Sequence, residues 1–340
     1  MSAPPVSAAI VGLGRWGRNL VTAGQGGPLR FTHAATRTPG KAEAFCAEHG
    51  LTLRPGLEDV LDAVDAVVLA TPHSQHGAQV REAAATGRHV FVEKPLALTL
   101  SDAAAAFDAC AAANVRLAVG FNRRFLPAYQ SLAATVAEGG IGRALHVEGS
   151  FCGPFGYDYR DDMWRGSSAE NPAGGMAAMG IHILDAMIGV MGPVARVSVL
   201  SRRLAVSSHL DDTTTVHLDF ASGATGTLST LMASASFWRL HIFGSKGWAH
   251  MPNQEQLVLS DLAGKQTEQS FGKTDTLAAE LAAFAATIAD AAPYPVTRQQ
   301  ALAGVAAMEA IGRSAAQGGA WVEVDPVPAG RAMDTGGTTT

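Results

Sequence analysis

The sequence predicts an α/β chain. A doubly wound parallel sheet occupies the first third, and a strand-rich α+β half follows. Three observations predict this. Short apolar runs alternate with helical segments as far as Gly120, the pattern of a parallel sheet with crossover helices. A glycine-rich turn joins the first strand to the first helix. Beyond Gly120, strands with alternating polar and apolar residues dominate, as in Thr213-Thr214-Thr215-Val216-His217-Leu218. Such alternation suits a sheet with one face covered and the other exposed or in a subunit interface.

Ala8-Ala9-Ile10-Val11 reads as a buried strand, followed by Gly12-Leu13-Gly14-Arg15-Trp16-Gly17 and the helical Arg18-Asn19-Leu20-Val21. Gly12, Gly14 and Gly17 form the G-x-G-x-x-G spacing in the strand–helix context that it needs. The glycines permit a tight turn, close approach of backbone to a pyrophosphate, and close helix–strand packing, and the helix N-terminus faces the phosphates. The same residues could make a glycine-rich turn without a ligand. Their position and context favour a dinucleotide site, with Arg15 and Trp16 at its entrance.

Residues 31–36 predict the second strand. An NAD-preferring site carries Asp or Glu at its end to hold the ribose 2′-hydroxyl. Here Thr36, Arg37 and Thr38 stand in that place and no acid follows until Glu43. A cation beside hydroxyl donors suits a 2′-phosphate, so NADP is the preferred cofactor and NAD the alternative.

Residues 39–49 predict a helix stopped by Gly50, and residues 65–70 a strand ending in Thr71-Pro72-His73-Ser74-Gln75-His76. With no third ligand evident nearby, His73 and His76 are read as lining or capping the cofactor cleft rather than as metal ligands. Val90-Phe91-Val92 is the next strand, ending in Glu93-Lys94-Pro95. Pro95 biases Lys94 toward extended backbone. The lysine thus sits at the carboxyl edge of the sheet, where open α/β sheets bind ligands. A lysine there can bind a hydroxyl, or lose a proton if burial lowers its pKa. Ser101 is expected to cap the following alanine-rich helix, and residues 115–120 to form another strand.

In the second half, Phe121-Asn122-Arg123-Arg124-Phe125 leads into a helix ending near Glu138. Strands are expected at residues 144–151, 194–204, 213–220, 224–232, 239–243 and 256–260, with a hairpin turn at Ala221-Ser222-Gly223. Late helices are expected at residues 276–291 and 298–317, and a last strand at 321–324. Residues 157–165, which include Tyr157, Trp164 and Arg165, read as a loop that could cover a substrate. Residues 174–185 read as a single buried helix, apolar nearly all round. His182 is its only imidazole, and Ala178 and Asp185 share its face at helical spacing. Two glycines at the helix entrance suggest close approach of a ligand.

The chain has 340 residues, 47% hydrophobic and 16% charged, with net charge −5. That is a globular composition sufficient for two domains. The acidic balance and the lack of basic runs argue against nucleic-acid or membrane partners. Cys46, Cys110 and Cys152 are scattered and odd in number, so a reducing compartment, the cytoplasm, is expected. The start of the chain lacks a signal-peptide pattern, and no apolar stretch is long enough to span a bilayer.

Gly12 to Gly17, Thr71-Pro72 with His76, Glu93-Lys94-Pro95, and Gly180-Ile181-His182 with Asp185 occur in this order. Together they resemble the Gfo/Idh/MocA family, the glucose–fructose oxidoreductase and inositol dehydrogenase group, from about residue 7 to residue 324. The resemblance implies a Rossmann domain over residues 1–121. It also implies a substrate-binding and oligomerisation domain over residues 122–325, built on a large open, mostly antiparallel sheet; residues 326–340, rich in Gly, Thr and Pro, are expected from composition to be a disordered tail. It implies a homodimer or homotetramer, and NAD(P)-dependent oxidation or reduction of a sugar, cyclitol or related hydroxy or carbonyl compound. Lys94 would contact the reacting oxygen and stabilise the alkoxide, His182 would exchange the proton, and the Lys94–Pro95 bond would be cis. Arg123, Trp164 and Arg165 match positions lining the nicotinamide and substrate pocket, and Tyr157 and Asp185 are further substrate candidates. No metal is expected. The chain departs from the family at Ala178, where many members carry an aspartate that orients the histidine. Two other readings share the fold: a non-catalytic NAD(P)-binding sensor or co-repressor, and a dihydrodiol dehydrogenase or carbonyl reductase.

Overall fold

The computed structural model describes residues 4–330. Its first unit runs β1 (Val6–Val11), α1 (Arg15–Ala23), β2 (Leu29–Ala35), α2 (Glu43–Glu48), β3 (Thr52–Arg54), α3 (Glu58–Leu61), β4 (Ala66–Leu69), α4 (His73–Ala85), β5 (His89–Glu93), α5 (Leu100–Ala112) and β6 (Leu117–Gly120). The strands pair in parallel in the order β3-β2-β1-β4-β5-β6. Strand β4 is buried throughout, as expected for a parallel strand covered on both faces. Strand order reverses between β1 and β4, which places the ligand crevice at their carboxyl ends.

The rest of the chain runs α6 (Pro127–Ala137), β7 (Ala144–Cys152), α7 (Gly180–Met191), β8 (Val194–Arg202), β9 (Thr213–Phe220), β10 (Thr225–Leu231), β11 (Phe237–Gly244), β12 (Gly247–Met251), β13 (Gln256–Asp261), β14 (Gln266–Ser270), α8 (Thr276–Ile288), α9 (Arg298–Ala316) and β15 (Val322–Glu323). These strands form a second sheet in the order β14-β13-β12-β11-β7-β10-β9-β8-β15, antiparallel except between β7 and β10. One face packs on α7 and α9. Val147, Val197, Val216, Leu228 and Leu240 point into that core. The opposite face carries a row set by register, Ser198–His217–Thr227–Glu148–His241–His250–Val258. The two units share one hydrophobic core. Helix α8 packs on α1 and on the 3-10 turn Asn122–Phe125, while α9 reaches α5.

Several expectations are corrected. Ser101 lies inside α5, and the cap is Thr99, whose hydroxyl accepts from the Asp102 N–H at 3.2 Å. Strands β12 and β14 were not expected. Residues 174–185 do not form one helix: a 3-10 turn at Gly174–Met176 precedes α7, which starts at Gly180. Ala173 and Gly174 adopt positive φ, and a Cβ on Gly174 would collide with the Asp211 carbonyl. The chain therefore turns against the β8–β9 connection before the helix can begin, and Ala178 lies outside it. The Lys94–Pro95 peptide is cis. Residues 326–330 carry no regular structure, and the rest of the tail read as disordered lies outside the described residues. Among the described residues, no helix is long and apolar enough to cross a membrane.

Candidate active site

The carboxyl edge of the parallel sheet and α7 enclose a depression in two connected parts. The first is a groove of about 440 Å³ over the β1–α1 turn. Gly12 has φ +97°, and a Cβ there would press on the Ala70 carbonyl. A Cβ on Gly17 would overlap the Gly12 carbonyl. Gly14, by contrast, has open space where its Cβ would be. It serves as the N-cap of α1 without any side-chain cap, so the first-turn N–H groups remain available to an anion. A pyrophosphate fits these residues. Arg37, Thr36, Thr71 and Pro72 line the same groove, as sequence reasoning expected. Glu58, from the first turn of α3, also lines it and was missed.

The second part is a cleft of about 190 Å³ that contains Glu93, Lys94, Arg123 and His182. Arg15, Trp16, Thr71, Trp164 and Arg165 wall both parts. Lys94 Nζ donates to the Ala178 carbonyl at 3.1 Å and to the Ala177 carbonyl at 3.3 Å. Burial pushes its pKa down to about 8; Arg165 and Arg123 add to this while Glu93 opposes it. His182 is buried, and its Nδ1 has no partner. Burial, then Lys94 and Arg123, hold its pKa well below the ordinary imidazole value. The imidazole is therefore neutral. Burial raises Glu93, against Lys94 and Trp16.

The two early histidines brace the site. His76 faces the Pro95 carbonyl through Nδ1 at 2.8 Å and the Thr71 carbonyl through Nε2 at 3.0 Å. A neutral imidazole carries one N–H, so it hydrogen-bonds one of these two carbonyls and packs against the other. His73 faces the Glu170 carbonyl at 2.8 Å and meets the Trp164 ring edge-on at 4.9 Å. The Glu170 carboxylate accepts from the Ser74 N–H at 3.1 Å, in the first turn of α4, where negative charge is favoured. These contacts fix the covering loop, on which the Arg165 guanidinium stacks over Trp164 at 4.3 Å.

Two assignments are corrected. Tyr157 is 61% exposed and lies outside the cleft; Tyr159 and Phe155 line it instead. Asp185 does not face a substrate. Its carboxylate accepts from Arg124 Nε at 2.6 Å and from Nη2 at 2.9 Å in a buried bidentate pair. A further missed group is Glu280 on α8, fully buried behind Lys94 and Arg123. Its signal in the sequence was a lone acid in an otherwise apolar helix. Among the described residues, no cluster of three metal-ligating side chains occurs.

A dinucleotide groove opening on a lysine–histidine cleft defines a nicotinamide-dependent oxidoreductase. Comparison with known proteins agrees. Residues 6–121 match the family model described as an oxidoreductase family with NAD-binding Rossmann fold, and residues 129–250 match the GFO/IDH/MocA C-terminal domain. The chain belongs to the GFO/IDH/MocA family and is an NAD(P)-dependent oxidoreductase. It is 36% identical to scyllo-inositol 2-dehydrogenase (NAD(+)) of Bacillus subtilis over 153 residues, 42% of this chain and 44% of that protein. It is 27% identical to inositol 2-dehydrogenase of Rhizobium meliloti, covering 92% of this chain and 97% of that one. Among solved structures, the WlbA dehydrogenase of Bordetella pertussis in complex with NADH and UDP-GlcNAcA shares the fold. It has a TM-score of 0.83 at 24% identity, over 96% of this chain and 99% of that one.

Proposed function

We propose that the chain interconverts a carbinol and a carbonyl on a sugar, cyclitol or related hydroxy compound in the cytoplasm, with NADP(H) preferred. The observation that carries this is the setting of Lys94 Nζ. A lysine amine has two N–H donors and a lone pair, and its ammonium has three donors. The Ala177 and Ala178 carbonyls take two positions, which leaves the third for the cleft. With its pKa pushed down to about 8, that position can accept a hydroxyl proton or donate one to a carbonyl oxygen. His182 then orients the reacting oxygen as a neutral imidazole, because Lys94 and Arg123 oppose its protonation. This reading moves the proton from His182 to Lys94.

The bound cofactor supplies or removes the hydride. Gly12 to Gly17 and the start of α1 hold its pyrophosphate, with Thr71, Pro72, Trp16 and Arg165 as walls. Arg37, with Thr36, takes the 2′-phosphate. Glu58 gives specific support to the NAD alternative, since an acid in this groove can hold a ribose hydroxyl.

The test is reduced-nicotinamide absorbance on a panel of aldoses, cyclitols, sugar acids and aromatic dihydrodiols with either cofactor. Turnover on one substrate class is expected, reduced about 10²–10⁴-fold in Lys94→Ala. Arg37→Ala should weaken NADPH roughly tenfold, the low end for a charge-assisted bond after solvent screening, and leave NADH unchanged. Full turnover in Lys94→Ala would sink the assignment, and cofactor binding without turnover on any substrate would favour a sensor.

A further inference from the structure

Glu280 lies one layer behind the cleft. It is completely buried, and neither carboxylate oxygen has a hydrogen-bond partner. Glu93 Oε1, Arg123 Nε and Asn122 Oδ1 are also buried without partners. Helix α8 packs against the turn that carries Asn122 and Arg123, and against α1. The charged groups facing Glu280 are Glu93, Arg123, Lys94 and, at the N-cap of its own helix, Asp275. Tyr294 is near but donates its hydroxyl to the Val119 carbonyl at 3.1 Å. Burial and Glu93 together keep a proton on Glu280 well above the carboxylate range.

In that state the pocket behind the cleft holds the cations Lys94 and Arg123 against one carboxylate, Glu93. An oxidised nicotinamide ring adds a third positive charge, and a reduced ring adds none. An isolated buried charge is costly unless a counter-charge is near, and Glu280 is the unpartnered acid beside these cations. We propose that Glu280 is a switchable counter-ion. It loses its proton to solvent when the oxidised cofactor binds. It regains one from solvent once hydride transfer has neutralised the ring. The step balances: the carbinol carbon gives a hydride to the ring, the hydroxyl proton passes to Lys94 and on to solvent, Glu280 takes up one proton, and the charge of the site is unchanged. The proposal rests on the reading that the ring lies at the Lys94 end of the groove.

The experiment counts protons calorimetrically while NADP+ or NADPH is titrated into the protein near neutral pH, in buffers of different ionisation enthalpy. Wild type should release close to one proton more with NADP+ than with NADPH, and Glu280→Gln should abolish the difference. Equal proton counts in wild type, or a difference that persists in Glu280→Gln, overturns the proposal. If neither cofactor binds, the nicotinamide reading itself fails, and the proposal with it. Should the variant not fold, the wild type can still overturn the proposal. The ratio of NADPH to NADP+ dissociation constants should rise by up to about tenfold per pH unit, and a flat ratio overturns the proposal.

Discussion

Lys94 and His182 face one cleft but differ in what they can do with a proton. Burial acts on both, yet Lys94 has Glu93 beside it as a counter-charge while His182 has only cations. This difference predicts the pH profile. For alcohol oxidation, kcat/KM should rise as Lys94 loses its proton through about pH 8. For carbonyl reduction it should fall through the same range. Initial rates at low substrate concentration test this, and a controlling limb at the ordinary imidazole value would return the proton to His182. Lys94, His182 and the glycine turn were readable because short local patterns define them. Asp185 was misread because its partner, Arg124, is distant in sequence and only the fold brings the two together. Glu280 was passed over because an acid in an apolar helix becomes informative only when its side is known to be interior.

At the scale of elements, the Arg124–Asp185 pair clamps α7 to the turn that presents Arg123. Both side chains are buried, so removing one partner leaves an uncompensated charge. Arg124→Met should lower the unfolding free energy by about 3–5 kcal/mol, read as a lower urea midpoint. A change near zero would show the clamp to be dispensable. The parallel strands were evident from unbroken apolar runs such as that of β4. The exposed β14, Gln266–Ser270, has no apolar residue, so periodicity offered nothing to detect. The helix expected at residues 174–185 had the correct apolar texture. It is broken by a backbone turn that depends on Asp211, a contact invisible to local pattern. The capping box of α9, Thr297 with Gln300, shows the opposite case, in which local chemistry places the start of a helix.

At the scale of the whole molecule, the second sheet leaves one face without covering helices. His241 and His250 stack there at 4.5 Å, with Phe243 and Trp248 against His241. Both histidines have a buried Nε2 without a partner. We propose that a second copy of the chain covers this face, giving a dimer or tetramer. Sedimentation equilibrium should find it, and Trp248→Asp should weaken association roughly tenfold or more. A monomer at every concentration would refute this.

The two parts of the depression share a wall of Arg15, Trp16, Thr71, Trp164 and Arg165. A ligand in the groove would therefore border the surface that receives the substrate. A compulsory order, with cofactor first in and last out, is the expected outcome. In product-inhibition kinetics the reduced cofactor will compete with the oxidised one, and the carbonyl product will not compete with it. In that order the redox poise of the nucleotide pool would be read before any substrate is sampled.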